Sequence, residues 1–285
     1  MTLLWSALSV GAIYALLAIT LNLIYTSVGV FNFAQGAILT LGVYISYTGV
    51  ADWHLPTWIA ALVGGVACAV AGLVEARICL LPRALGRNEL LTTVGVATLL
   101  AGGISLIWGE NDRLVASPVS TRILTVFGGR VAPDQLLLIA LAIVFAAGIS
   151  LWYRFTLAGL ASLAVAEDRD AARIRGINVL RKSIAAFVIG GAIAGFIGLA
   201  VGSQTYAYPE LSSSLVLYAF VAFVLGGAGS LGGSLLGGLI LGCVQQYSAR
   251  YVSVNYSDLI VFGLLLTTLM VFPNGLFART NVRTV

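Results

Sequence analysis

The uncharged run LLWSALSVGAIYALLAITLNLIYT, residues 3–26, decides the fold class of this chain. A helix needs about 20 predominantly apolar residues to cross the hydrocarbon core of a bilayer. The apolar residues of this run fall on every side of a helical wheel, so it is not an amphipathic surface helix. It also lacks the positively charged start of a secretory signal. We therefore expect a retained first membrane span.

Similar hydrophobic runs follow along the whole chain of 285 residues, of which only 9% are charged. In a soluble domain, about a quarter of the residues are charged. The sequence thus predicts an all-α, polytopic membrane protein with one transmembrane domain, residues 1–285, and about eight or nine hydrophobic helical segments. After the first, we place these segments at 33–51, 57–74, 89–109, 133–153, 183–203, 212–227, 232–249 and 258–273.

Basic residues set the predicted orientation, because cytoplasmic loops carry an excess of Lys and Arg. Loops 75–89 and 154–182 and the tail are basic, whereas loops 51–57 and 204–211 carry no Lys or Arg. This pattern predicts an N-terminus outside and a C-terminus in the cytoplasm. The external loop 110–132 disagrees, since it holds Arg113, Arg122 and Arg130.

The stretch GGAGSLGGSLLGG, residues 226–238, separates two hydrophobic segments with a dense run of glycine. The segments 212–227 and 232–249 either cross the membrane twice or form a broken, re-entrant pair, and both arrangements leave the C-terminus inside. The glycines serve close helix packing or a break that lines the transport path. The residues concerned are Gly226, Gly227, Gly229, Gly232 and Gly233.

The sequence lacks the residues that several classes of membrane protein need for their function. No ionisable residue stands near the middle of a predicted span, since charged residues such as Glu75 and Asp258 stand at the ends. This pattern argues against proton-coupled carriers, pumps and voltage sensors. His54, the only histidine, is interpreted as interfacial, and no clustered ligands indicate a metal site. The stretch 176–183 lacks the second glycine of a phosphate-binding loop, so we expect no nucleotide there. We expect no catalytic residue and no nucleic-acid binding.

The charged stretch AEDRDAARIRGIN, residues 166–178, stands out from the apolar chain. Its acids come early and its arginines late, which matches the helix dipole and predicts a surface helix over 162–175. Gly176 is expected to end this helix in the left-handed conformation, and Asp170 to pair with Arg173. One small apolar face is expected, made of Leu160, Leu163, Ala164, Ala171 and Ile174. The alternative, a solvated loop on anionic lipid, needs the arginines but leaves the acidic cluster unexplained.

Within this stretch, Asp170-Ala171-Ala172 followed by Gly176 resembles the cytoplasmic EAA loop of ABC-importer membrane subunits. FNFAQGAILTLGVYIS (31–46), VLGGAGSLGGSLLGGLILG (224–242) and VFPNGLF (271–277) resemble segments of branched-chain amino-acid ABC permeases of the LivH type. These likenesses occur in order along nearly the whole chain. Gln35 stands where histidine is usual, which leaves the role of that position open.

The resemblance implies a multi-pass permease of the bacterial inner membrane. It implies a second related permease of the LivM type, two cytoplasmic ATPases that carry ATP and Mg, and an extracytoplasmic solute-binding protein. The cytoplasmic loop at about 158–182 would couple to the ATPases. The coupling residues would be Ala166, Glu167, Asp168, Asp170, Ala171, Ala172, Arg173 and Gly176.

The expected solute is a branched-chain or other hydrophobic amino acid, while urea, short amides and aromatic acids stay open. Polar residues expected near the path are Asn22, Asn32, Gln35, Thr92, Thr93, Gln204 and Tyr206. Each has an alternative interpretation as a hydrogen bonder between helices. A different class of function also stays open, namely an ATP-independent channel or secondary carrier for a small polar solute such as urea.

Overall fold

The computed structural model describes residues 1–80, 89–119, 122–126 and 128–277, and eleven α-helices account for most of these residues. Six of them are long and apolar enough to cross a membrane, consistent with a polytopic protein. Arg83, Arg87, Arg279 and Arg283, on which part of the predicted orientation rests, lie outside the described residues. The helices are α1 Thr2–Val28, α2 Gln35–Ala51, α3 Thr57–Cys79, α4 Glu89–Trp108, α5 Pro133–Phe155, α6 Leu157–Glu167, α7 Arg169–Ile174, α8 Val179–Thr205, α9 Leu211–Gly226, α10 Leu231–Tyr251 and α11 Val254–Val271.

Two ends of the bundle are named here after the predicted orientation. The inner end is where α1, α3 and α5 finish and where α6 and α7 lie. The outer end is where α1 begins and where α4 and α8 finish. Proline at the first position of α5 confirms the helix entry expected at Pro133, since its missing N–H needs no partner there.

Helix α1 lies at the centre and packs against α10, α8, α5 and α9. A Cβ atom at Gly238 of α10 would overlap the backbone of Ala15, and one at Gly242 would overlap that of Gly11. Residue numbers rise along α10 as they fall along α1, so the two helices are antiparallel. Small residues allow this approach because van der Waals contact drives helix association in lipid.

Helices α2, α3 and α8 form a second tightly packed group. Gly195 of α8 lies against Gly64 of α3, and Gly198 lies against Gly42 of α2. The glycines of α8 therefore allow close packing against α2 and α3.

A short β-hairpin in the outer loop accompanies the helices of this all-α membrane protein. Strand β1, Leu124–Val126, pairs antiparallel with β2, Gly129–Val131. The backbone N–H of Arg130 donates to the hydroxyl of Thr2, at 3.1 Å. This hydrogen bond to the start of α1 and the burial of Val131 hold the hairpin against the bundle. The loop signals of glycine and proline were visible in the sequence, but strand pairing of so few residues depends on this support.

Candidate functional site

The non-helical link 29–34 joins α1 to α2 and brings together three predicted path residues. Gln35 begins α2 and donates from its Nε2 atom to the carbonyl of Gly190 on α8, at 3.0 Å. The Asn32 Oδ1 atom accepts from the backbone N–H of Ala34, at 2.8 Å. Thr93 of α4 places its hydroxyl 3.4 Å from the backbone nitrogen of Phe33. Thr92 lies beside Thr93 on α4 and is partly buried.

One side of the link opens on a cleft of about 290 Å³ between α2, α4 and α9. Its walls are largely apolar, with hydroxyl groups from Thr98, Ser212 and Ser213. Most of its exposed surface belongs to aliphatic and aromatic carbon, as suits an apolar side chain of a solute. The lining residues are Phe33, Ala37, Val94, Ala97, Thr98, Ala101, Ser212, Ser213 and Val216.

Asn22 does not line this cleft; it holds the glycine-rich turn between α9 and α10. Its Oδ1 atom accepts from the N–H of Gly229 at 2.9 Å, and its Nδ2 atom donates to the hydroxyl of Ser234 at 2.8 Å. Of the two interpretations of Asn22, the geometry therefore favours the hydrogen bonder between helices.

The glycines of the turn do two different things. Gly226 and Gly233 lie so close that a Cβ atom on either would overlap the backbone of the other. Gly227 and Gly229 have φ angles of 86° and 83°, which favour glycine. Gly232 meets open space and borders a cavity of about 630 Å³ between the turn, α5 and α6. Packing and cavity lining are thus both present within one turn.

The charged stretch forms two helices, so the predicted single helix over 162–175 is wrong at Asp168. The carboxylate of Asp168 accepts from the backbone N–H groups of Asp170 and Ala171, at 3.0 and 2.9 Å. An aspartate that caps new N–H groups starts a helix, so α6 ends and α7 begins there. Gly176 ends α7 with φ 81°, which confirms the predicted left-handed stop.

This inner helix pair, α6 and α7, is anchored to the bundle at several points. The guanidinium of Arg169 on α7 donates to the carbonyl of Ser27 at the end of α1, at 2.5 Å, and the hydroxyl of Ser183 on α8 donates to the same carbonyl at 3.1 Å. Lys182 donates from Nζ to the carbonyl of Ala158, at 2.9 Å. Val165, Ala172 and Val179 form a small buried core beneath the pair.

The exposed side of α7 is charged but also carries an apolar side chain, Ile174. Ile174 is 87% exposed, so the expectation that it joins an apolar face is wrong. Of the two central alanines, Ala172 is buried and Ala171 only partly so, because the break at Asp168 rotates α7 relative to α6. Asp170 and Arg173 form the predicted ion pair, at 3.4 Å on the surface. Ala166, Glu167 and Gly176 are exposed beside them.

The remaining predicted path residues, Gln204 and Tyr206, lie at the outer end. The Oε1 atom of Gln204 accepts from Ser9 of α1 at 3.1 Å, and Tyr206 is half exposed with φ 62°. Nearby, the Arg113 backbone pairs with Ala207, and its guanidinium donates to the carbonyl of Trp108 at 3.0 Å. Arg113, one of the three arginines that contradicted the charge count, thus caps the end of α4.

Tyr208, in the same outer segment, has a phenol pKa above its ordinary value. Burial is the main cause, and the nearby charges of Asp112 and Glu210 raise the pKa further. A neutral hydroxyl therefore remains at this end of the bundle.

Comparison with known proteins assigns this chain to a family. The model of the branched-chain amino acid transport system / permease component family matches residues 3–269. The chain belongs to this family. It is 30% identical to the permease LivH of Salmonella typhimurium and to that of Escherichia coli, over 99% of this chain and 96% of each relative. It is 28% identical to BraD of Pseudomonas aeruginosa over 98% of this chain and 96% of that protein.

Among solved structures, PsaBC from Streptococcus pneumoniae in complex with Fab has a similar fold. Its TM-score is 0.52 at 13% identity, over 96% of this chain and 93% of that chain. This likeness concerns the fold alone. The permease is accordingly a multi-pass membrane protein of the LivH type.

Glu75 is a residue whose burial the sequence did not predict. It stands near the end of α3, as expected for a charged residue, but only 1% of it is exposed. Neither carboxyl oxygen has a hydrogen bond of good geometry, although the Asn32 side chain approaches the group. The one available signal was its position between Val74 and Ala76, inside an apolar run.

Proposed function

We propose that this permease is a membrane subunit of an ATP-binding-cassette importer, and that it couples to cytoplasmic ATPases through the inner helix pair. The observation that carries this proposal is the exposed, charged α7 anchored through Arg169 to the end of α1. A push on α7 is passed to Ser27 and so to the start of the link 29–34. The chain itself is proposed to hold no nucleotide; ATP and Mg would bind to two partner ATPases.

Ile174 suits the docking of this pair on a protein partner. An isoleucine exposed beside Glu167, Asp170 and Arg173 is costly in water and favourable in an apolar recess. The surrounding charges would set the orientation of docking and suppress wrong partners. The hollow between Glu167, Asp168 and Arg175, about 160 Å³, offers a second point of engagement.

The proposed solute is a branched-chain or other hydrophobic amino acid. The named relatives transport branched-chain amino acids, and the cleft of α2, α4 and α9 is apolar with a few hydroxyl groups. We propose that Asn32, Gln35 and Thr93 act at the inner part of this path and Gln204 and Tyr206 at its outer end. A LivM-type permease would complete the path, and an extracytoplasmic binding protein would deliver the solute.

Purification of the tagged permease from its native membranes in mild detergent tests this proposal. Two ATPases and a second permease should come with it, identified by mass spectrometry. Purification alone, or with copies of itself only, would contradict the proposal and indicate an ATP-independent channel or carrier.

A set of substitutions then tests the docking site. Glu167→Ala, Asp168→Ala and Gly176→Ala together should remove most ATPase from the purified complex, because they delete two acids and strain the left-handed stop of α7. The outer end offers a matched control: Asp112→Ala, Glu210→Ala and Gly109→Ala change two exposed acids and a glycine of φ 79°. The control should keep its ATPases, and loss from both sets would indicate general unfolding.

A further inference from the structure

Glu75 is the one fully buried carboxylate within the described residues. Its two oxygens lack hydrogen-bond partners there. It also lies in the last turns of α3, where the helix dipole places further negative charge. A buried polar group without a partner is costly, so this carboxyl destabilises the arrangement in which it is found.

The strain is concentrated at the link 29–34. The Nδ2 atom of Asn32, within the link, and the Oε1 atom of Gln35, just after it, are also buried and unpartnered. Asn32 is the side chain that approaches the Glu75 carboxyl. Four polar atoms where the link meets α2 and α3 thus lack hydrogen bonds of good geometry in this arrangement. Water would supply them if the link moved.

The link also borders the cleft that is proposed as the solute path, so it lies where it could block that path. Phe33 lines the cleft of α2, α4 and α9, while its neighbour Asn32 is buried on the side of Glu75. The hydrogen bond between the link and α4, from the Phe33 N–H to the Thr93 hydroxyl, is long at 3.4 Å. At its start, Ser27 is held by Arg169 of the inner helix pair. Movement of that pair would therefore act on the link directly.

We propose that the link 29–34 is the inner gate of the solute path and that Glu75 is its positioning residue. In the closed gate the Glu75 carboxyl and the Asn32 amide are dry. When the gate opens, water reaches both, and their hydration offsets the contacts that the link gives up. This inference rests on the proposed function, since it assigns a movable part to the path.

The sharpest test is Glu75→Met in the assembled transporter, reconstituted with its binding protein. Methionine has similar length and no polar atoms, so the closed gate loses its destabilising group. Solute uptake should fall about tenfold because the open gate becomes rare, while the melting temperature is unchanged or higher. Normal uptake, or a lower melting temperature, overturns the proposal, since the latter would make Glu75 a structural support.

Ser46→Ala is a suitable control. Ser46 is also fully buried, in α2, but its hydroxyl is satisfied by the carbonyl of Ala60 at 3.4 Å. Uptake by this variant should stay near that of the unmodified protein.

A labelling experiment reads the gate without measuring transport. Ala34, fully buried in the link, is replaced by cysteine after Cys68, Cys79 and Cys243 are changed to alanine. A membrane-impermeant thiol reagent on the inner side should label Ala34→Cys about tenfold faster during ATP turnover than at rest. Added Glu75→Met should abolish this increase. An equal rate at rest and during turnover overturns the gate.

Failure of the gate and failure of the importer proposal are separable. If the ATPases co-purify and hydrolyse ATP but labelling does not change, only the gate is wrong. If no ATPase binds the chain, the proposed function itself is wrong.

Discussion

Helices α1 and α4 are almost equally apolar but occupy opposite environments. Their mean hydropathies are 2.1 and 2.0. In an 18-residue apolar stretch of each helix, however, 89% of the residues of α1 are buried in the bundle, but only 17% of those of α4. Helix α11 is exposed to the same extent as α4. Hydropathy therefore indicates that a helix can cross a membrane, but not whether protein or lipid surrounds it.

The difference lies in small and polar residues. In lipid there is little hydrophobic driving force between helices, so packing and hydrogen bonds decide which helices associate. Helix α1 reaches across the bundle through Ser9, Tyr14 and Asn22, which bond to Gln204, Gln245 and Ser234. The threonines of α11, Thr267 and Thr268, bond to carbonyls of their own helix.

The largest effect should come from Gly238→Leu, at the contact of α10 with α1. The leucine side chain would overlap the backbone of Ala15. Because a backbone cannot move aside as a side chain can, α1 and α10 would have to separate. We expect a loss of about 3 kcal/mol or more, seen as loss of folded protein by size-exclusion chromatography. Gly263→Leu on α11 meets open space and should behave like the unmodified protein. Equal damage from both would refute the contrast between central and peripheral helices.

A smaller effect is expected from truncating leucines of equal chemistry in the two environments. Leu17 of α1 is fully buried, whereas Leu106 of α4 is 90% exposed. Leu17→Ala should lower the free energy of unfolding by about 2 kcal/mol, the low end for a buried leucine, because lipid removes the water-transfer term. Leu106→Ala should be neutral in detergent unfolding curves. A loss of stability at Leu106 in the assembled transporter alone would place a second subunit on α4.

The smallest of the three effects concerns hydrogen bonds. Asn22→Leu leaves the N–H of Gly229 without its partner and frees the glycine-rich turn. We expect a loss of about 1 to 2 kcal/mol, measured by the same unfolding curves. Thr267→Val removes a bond within one exposed helix and should change stability by less than about 0.5 kcal/mol. If Asn22→Leu is as mild, the turn is held by packing of Gly226 and Gly233 alone.

Much of the fold was predictable because it depends on local properties of the chain. A run of apolar residues forms a helix in lipid whatever its neighbours, so the helix positions agree with the predicted segments to within a few residues. The helix end at Gly176 and the ion pair of Asp170 with Arg173 depend on residues only three or four positions apart, so the local sequence is enough to predict them. The order of acids and bases also located the inner helix pair.

The tertiary structure decided everything that depends on which helices surround a residue. Asp168 could continue a helix or cap a new one, and the packing of Val165 and Ala172 over Val179 selected the cap. Asn22 could line a path or bond a neighbouring helix, and the approach of the glycine-rich turn to α1 decided for bonding. Glu75 differs from a solvated residue at a helix end because α1, α8 and the link pack around this end of α3. Burial is a property of the assembled helices, and no stretch of the sequence carries it alone.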